Sequence, residues 1–313
     1  MEKKINPELK EFFLKLPKTR TADEDIVERR RFLSMQYEKQ KAVSNSKVLI
    51  KERYINVEKA ETSIRIKIYE PAIKKDGTPG LLWIHGGGYI YGAPEMDDNL
   101  CQQFVEKANC LVVSVDYRLA PEHPYPAALE DCYAALEWLF SNAKELSVDV
   151  TRIAVAGASA GGGLTLALSL LNRERNQYPI IFQMPLYPMI NNLHNTPSSF
   201  EITDKRIWNR ELNERAWKFY LGDLTGEQVT QYAVPSSAED LSGLPPTYTC
   251  IGTLDLFRDD TLDFVKKLSQ AGVPTEFHLY PGCFHAFECM VPDAEVSQRA
   301  VDQYTDALKR AFQ

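Results

Sequence analysis

Basic residues are the minority in this chain. There are 36 lysines and arginines against 43 aspartates and glutamates, a formal net charge of −7 at neutral pH. A nucleic-acid binder ordinarily needs a basic face, so no nucleic-acid partner is expected. Long apolar runs are missing too. The longest mostly apolar stretch, Gly161 to Leu171, falls well short of the roughly 20 residues of a membrane span. Charges interrupt the N-terminal residues every few positions, so no signal-peptide core is read there. The six cysteines, at 101, 110, 132, 250, 283 and 289, form no C-x-x-C, and no N-x-[ST] sequon occurs. They read as free, mostly buried thiols, and the expected location is cytoplasmic. Neither G-x-G-x-x-G nor G-x-x-x-x-G-K-[ST] is present, and H-E-x-x-H and other metal spacings are absent. No metal or other cofactor is expected.

What is present is an ordinary globular composition, 44% hydrophobic and 25% charged. Phe12, Phe13 and Leu16, then Ile26, Phe32 and Leu33, recur at helical spacing, which predicts two short amphipathic helices within residues 1–45. Lys47 to Val57 and Thr62 to Tyr69 alternate apolar and polar residues and read as an antiparallel pair of half-buried strands. Beyond Gly80 the pattern becomes strand, helix, strand. Strand cores fall at Leu81–Ile84, Leu111–Val115, Ile153–Ala156, Ile180–Met184, Tyr248–Ile251 and Glu276–Tyr280. Helical stretches fall near Asp98–Ala108, Ala127–Leu146, Gly162–Glu174, Asp259–Ala271 and Glu295–Phe312. Short strands apolar on both sides belong to a mostly parallel sheet covered on both faces, an α/β fold. Between Tyr187 and Ser242 there is too much chain for one connection; a helical segment near Trp208 to Leu221 marks an insertion above the sheet.

Four places carry chemistry. Gly157-Ala158-Ser159-Ala160-Gly161 is a G-x-S-x-G between a predicted strand and a predicted helix. That context is required of a nucleophile elbow, whose tight turn tolerates only small flanking residues. His85-Gly86-Gly87-Gly88-Tyr89 follows the strand Leu81–Ile84. Consecutive glycines there can turn N–H groups toward a developing oxyanion, which nominates Gly87 and Gly88, with Ala160 as a third donor. Of the five histidines, His285 sits in a loop between the last predicted strand and the last helix. It is the candidate base. His278 lies inside that strand, His85 belongs to the glycine motif, His123 is in a proline-rich loop and His194 is in the insertion. The order Ser, Asp, His asks for an acid after the preceding strand, and Asp255 is the first carboxylate there. Asp259 and Asp260 come at a helix start, where acids are favoured anyway. Each of the four sites follows its own strand, where open α/β sheets place their ligands. Two S-x-x-K matches, Ser44-Asn45-Ser46-Lys47 and Ser141-Asn142-Ala143-Lys144, lack the company of that class's other motifs and read as chance.

These residues make the chain similar to the hormone-sensitive-lipase-like, HGGG-type esterases of the α/β-hydrolase fold. The resemblance runs from about Tyr69 to the C-terminus and includes Asp116-Tyr117-Arg118-Leu119-Ala120-Pro121-Glu122 and Pro126 to Asp131. It implies one domain over residues 1–313 with an eight-stranded sheet. It also implies a helical cap built from about 1–45 and about 188–225. Many members read G-D-S-A-G, whereas this chain has Ala158 before the serine.

The function expected is a serine carboxylesterase acting on small esters, with Ser159, His285 and Asp255 catalytic. The resemblance implies short to medium acyl chains. Tyr89 and Trp208 are candidate substrate contacts, with Tyr91, Trp217, Phe219 and Tyr220 nearby in sequence. An amidase or lactone hydrolase with the same triad, and a non-catalytic ligand-binding relative, are the alternatives. The last strand of such a sheet is an edge that can pair in a homodimer.

Overall fold

The computed structural model describes residues 1–21, 23–39, 46–57, 60–73 and 75–313. Two helices open the chain, α1 (Pro7–Lys15) and α2 (Ile26–Lys39). Ala22 and residues 40–45 of the expected N-terminal unit lie outside the described residues, as do Ser44 and Asn45 of the first S-x-x-K match. Then follow β1 (Val48–Val57), β2 (Thr62–Pro71), β3 (Thr78–Ile84), α3 (Asp98–Ala108), β4 (Leu111–Val115), α4 (Ala127–Ser141), α5 (Ala143–Leu146), β5 (Val148–Ala158) and α6 (Ala160–Arg175). The second half holds β6 (Phe182–Leu186), α7 (Pro197–Glu201), α8 (Arg210–Leu221), β7 (Thr247–Leu254), α9 (Arg258–Gln270), β8 (Thr275–Phe284), α10 (Phe287–Met290) and α11 (Glu295–Ala311).

The eight strands form one sheet in the order β1-β2-β4-β3-β5-β6-β7-β8. β1, β2 and β4 pair antiparallel, and every later pairing is parallel. β4 and β6 are buried along their whole length, and β3 all but its first residue. Helices cause that burial: α3 packs with α11 and α4 with α6, and in each pair one helix lies against β4 and the other against β6. β1 alternates little and shows six consecutive exposed residues, as an edge strand with one open face does.

Several boundaries differ from the sequence reading, and β8 runs to Phe284, four residues into the segment read as a loop. The expected helix over Ala127–Leu146 is two helices, because the side chain of Asn142 turns back to the Trp138 carbonyl at 2.8 Å and closes the first one. β6 begins two residues later than its apolar run. Phe182, not Ile180, is opposite Ala154, and Pro179 and Ile180 stay outside the ladder.

The topology fixes where the chemistry sits. β3 lies between β4 and β5; the chain moves outward in one direction after β3 and in the other after β5. The crevice at the C-terminal ends of these two strands is the switch point of the sheet. The glycine loop leaves β3 there and the serine turn leaves β5 there.

Candidate active site

Ser159 occupies the turn between β5 and α6 with φ 57° and ψ −115°. A non-glycine residue in that region is strained by about 1–3 kcal/mol and persists only where its surroundings hold it. Here its N–H donates to the Leu186 carbonyl at 2.9 Å. Its own carbonyl accepts from the N–H groups of Gly163 (3.0 Å) and Met189 (2.9 Å). The motif glycine Gly161 has a separate task. A Cβ on it would stand 2.0 Å from the Ile84 carbonyl, so only glycine lets α6 start this close to β3.

On the facing side, Gly87 and Gly88 have φ of +115° and +63°. A Cβ on Gly88 would collide with the Trp208 ring at 2.2 Å. The N–H groups of Gly87, Gly88 and Ala160 have no hydrogen-bond partner among the described residues. The loop is braced from below. His85 is fully buried, stacks on Tyr117 with ring centroids 4.2 Å apart, and contacts the Gly86 carbonyl through Nδ1 at 2.7 Å. Burial lowers the His85 pKa and keeps the ring neutral. Tyr117 donates to the His85 carbonyl at 3.0 Å, and the next residue, Arg118, forks onto fully buried Asp131. The segment Asp116 to Glu122 thus supports the glycine loop.

His285 lies just beyond β8. Its Nε2 is 2.9 Å from Ser159 Oγ, and its Nδ1 is 2.8 Å from Asp255 Oδ2. The second Asp255 oxygen accepts from the Phe257 N–H at 2.9 Å. The rings of Tyr187 and Phe257 meet the imidazole edge-on from 5.1 and 5.2 Å. All three polar residues are buried; Ser159 and His285 keep 7% and 8% exposure. The other histidines are elsewhere: His278 pairs with Glu276 on β8 at 3.0 Å, and His194 contacts Asn213 at 3.0 Å. Asp260 binds Asn191 at 2.8 Å and Asp259 accepts from the Ser198 N–H, both apart from Ser159, His285 and Asp255.

A cavity of about 210 Å³ opens over Ser159. Gly86, Gly87, Gly88, Ala158 and His285 form its floor, and Trp208, Tyr91 and the N-terminal residues Arg20, Arg29 and Tyr37 line it further out. Wider depressions exist, such as one of about 690 Å³ beside α9, but it contains none of these groups. Trp208 stands where a substrate contact is expected, its indole N–H held by Asn213 Oδ1 at 3.1 Å. Tyr89 does not. Its positive φ of 64° turns the ring away from the cavity, where it stacks on Tyr220 at 3.9 Å and donates to the Met189 carbonyl at 2.8 Å. Trp217 and Tyr220 belong to the same buried cluster.

Several cavity residues escape the sequence reading, Asp97 and Arg20 among them. Asp97 lines the wall, 5% exposed, with one oxygen on the Trp83 indole N–H at 2.8 Å. Burial, reinforced by the charges of Asp98 and Glu288, pushes its pKa up to about 7. Arg20 reaches the cavity from the segment before α2. Neither lies in a motif; only the fold brings them to the serine. No group of three or more His, Cys, Asp or Glu residues that could hold a metal occurs among the described residues. No helix among them is long and apolar enough to cross a membrane.

Comparison with known proteins points the same way. The family model described as the alpha/beta hydrolase fold matches residues 81–289. Carboxylesterase NlhH of Mycobacterium tuberculosis is 35% identical over 253 residues, 80% of this chain and 79% of that protein. Esterase LipI of the same species is 37% identical, with coverage of 72% and 71%. Among solved structures, a bacterial heroin esterase superposes with a TM-score of 0.94 at 34% identity over 99% of both chains. Esterase LipW of Mycobacterium marinum gives 0.91 at 32%, covering 99% of this chain and 97% of its own.

Proposed function

The chain belongs to the α/β-hydrolase family and is a serine carboxylesterase, and from that premise we propose that Ser159, His285 and Asp255 are its catalytic triad. The observation that carries the assignment is the unbroken relay of 2.9 and 2.8 Å from Ser159 Oγ through the imidazole to Asp255. His285 Nε2 takes the hydroxyl proton as Ser159 attacks the ester carbonyl, and Asp255 holds the tautomer and stabilises the imidazolium. The N–H groups of Gly87, Gly88 and Ala160 receive the oxyanion, a term worth about 3–4 kcal/mol per donor. His285 then gives its proton to the leaving alcohol. Water attacks the acyl-enzyme by the same route in reverse and frees the acid.

Residues 1–45 and 188–225 act as the cap of this site. What supports this is that Arg20, Arg29 and Tyr37 from the first and Trp208 from the second line the cavity over Ser159. The Arg20 N–H also donates to the Lys205 carbonyl at 3.0 Å, joining the two pieces. A cavity of about 210 Å³ suits short to medium acyl chains. The hormone-sensitive-lipase-like subgroup is the natural home of the HGGG loop. The six cysteines carry no disulfide, as suits a reducing cytoplasm. β8, the last strand of the sheet, is the edge through which two copies pair; light scattering on a purified sample reads whether a dimer forms.

Hydrolysis of p-nitrophenyl esters from acetate to palmitate tests the assignment. Short esters are expected to turn over in wild type, to fall away as the chain lengthens, and to be lost by at least about 10⁴-fold in Ser159→Ala. Turnover that survives the substitution in a clean preparation contradicts it.

A further inference from the structure

The cavity above Ser159 is lined by an arginine, Arg20, that joins no carboxylate in an ion pair among the described residues. Arg20 is pinned by its backbone: its N–H donates to the Lys205 carbonyl at 3.0 Å, and its carbonyl accepts from Asn209 Nδ2 at 3.3 Å. The residue lines the cavity wall. Its guanidinium makes no hydrogen bond and no ion pair among the described residues. Burial lowers its pKa, and the neighbouring Arg29 lowers it further, yet a guanidinium stays charged at any working pH.

The local balance of charge does not cancel it. Glu24 is the carboxylate that faces Arg20, and it is already engaged, by Arg29 Nε at 3.5 Å and by the Tyr91 hydroxyl at 3.5 Å. Arg215 adds a third guanidinium to the same neighbourhood, bound to the Glu24 carbonyl at 2.6 Å. Asp97, the acid of the cavity wall, joins no arginine in an ion pair among the described residues; one of its oxygens holds Trp83 instead. Arg20 is half-buried, and a half-buried guanidinium without an ion-pair partner among the described residues can receive the anion of a ligand. Arginine in particular presents a fork that matches a carboxylate.

We propose that this enzyme selects esters bearing a second, free carboxylate, which the guanidinium of Arg20 receives while Ser159 attacks the ester carbonyl. The proposal rests on the esterase reading above, since it assigns the substrate class of that same cavity. The carboxylate can enter on the acyl side or on the alcohol side of the ester, and the test separates the two. On the acyl side, mono-4-nitrophenyl glutarate is compared with neutral 4-nitrophenyl hexanoate. On the alcohol side, 4-acetoxybenzoate is compared with its methyl ester.

At low ionic strength, wild type is expected to favour at least one acidic ester over its neutral counterpart by about tenfold in kcat/KM. Arg20→Gln is expected to erase that ratio chiefly through KM, and Arg20→Lys to restore part of it. Raising the salt is expected to shrink the wild-type preference. The proposal is overturned if wild type disfavours both acidic esters. It is equally overturned if the preference survives in an Arg20→Gln variant that melts with wild type. Should that variant not fold, competitive inhibition of wild type decides. Glutarate or 4-hydroxybenzoate must inhibit more strongly than its amide, and equal inhibition contradicts the proposal. Loss of the neutral controls as well, in folded wild type, would instead remove the esterase reading beneath it.

Discussion

At the scale of single residues, the serine is held in a conformation it would not choose. Its φ of 57° is stabilised by one donated and two accepted backbone hydrogen bonds, and by the glycine at 161 that lets α6 and β3 touch. These roles follow from the G-x-S-x-G pattern, which is why Ser159 is legible in the sequence alone. Asp97 is not legible there, because its neighbours Trp83, Asp98 and Glu288 come from different elements. Its acidity has a consequence for stability. The folded-state pKa of about 7 stands above the ordinary 3.8, so the fold binds a proton that the unfolded chain releases. Stability contributed by that proton is present at low pH and is lost as pH rises from about 4 through about 7. Asp97→Asn keeps an acceptor for Trp83 and removes the titration. Its Tm advantage over wild type is expected to widen by several degrees between pH 5 and pH 8, corresponding to a few kcal/mol at most. A difference in Tm that stays constant across that range contradicts the assignment.

At the scale of elements, period and punctuation carry most of the fold. Asp98–Ala108 and Leu111–Val115 have the bounds their patterns predict, because a left-handed Asn109 separates a clear helical period from an apolar run. β6 starts two residues late because apolar content alone does not fix register; the partner Ala154 does. Aromatic residues are the least legible. Tyr89 and Trp208 both read as substrate contacts in the sequence, yet only the backbone conformation decides which ring faces the cavity. Trp208, just before α8, lies against Gly88 and narrows the space over the serine. Trp208→Leu should therefore raise the ratio of octanoate to acetate kcat/KM, by about tenfold if it opens room for a few methylenes. An unchanged ratio, in a variant whose melting shows it folded, would mean that chain length is limited elsewhere.

At the scale of the whole molecule, the strand order matters more than any single contact. It brings the end of β3, the end of β5 and the loops after β7 and β8 to one crevice, although Gly87 and His285 are far apart in sequence. The order of Ser, Asp and His along the chain makes that convergence readable, since each follows its own strand. The N-terminal contribution is readable only as helices; that Arg20 reaches the same crevice depends on packing.

The most direct measurement is covalent labelling with a p-nitrophenyl phosphonate, followed by peptide mass spectrometry. The expected result is one adduct per chain, on Ser159, formed in step with loss of ester hydrolysis and absent from Asp255→Asn on the same timescale. Inactivation without modification of Ser159, or full modification with activity intact, would contradict the triad.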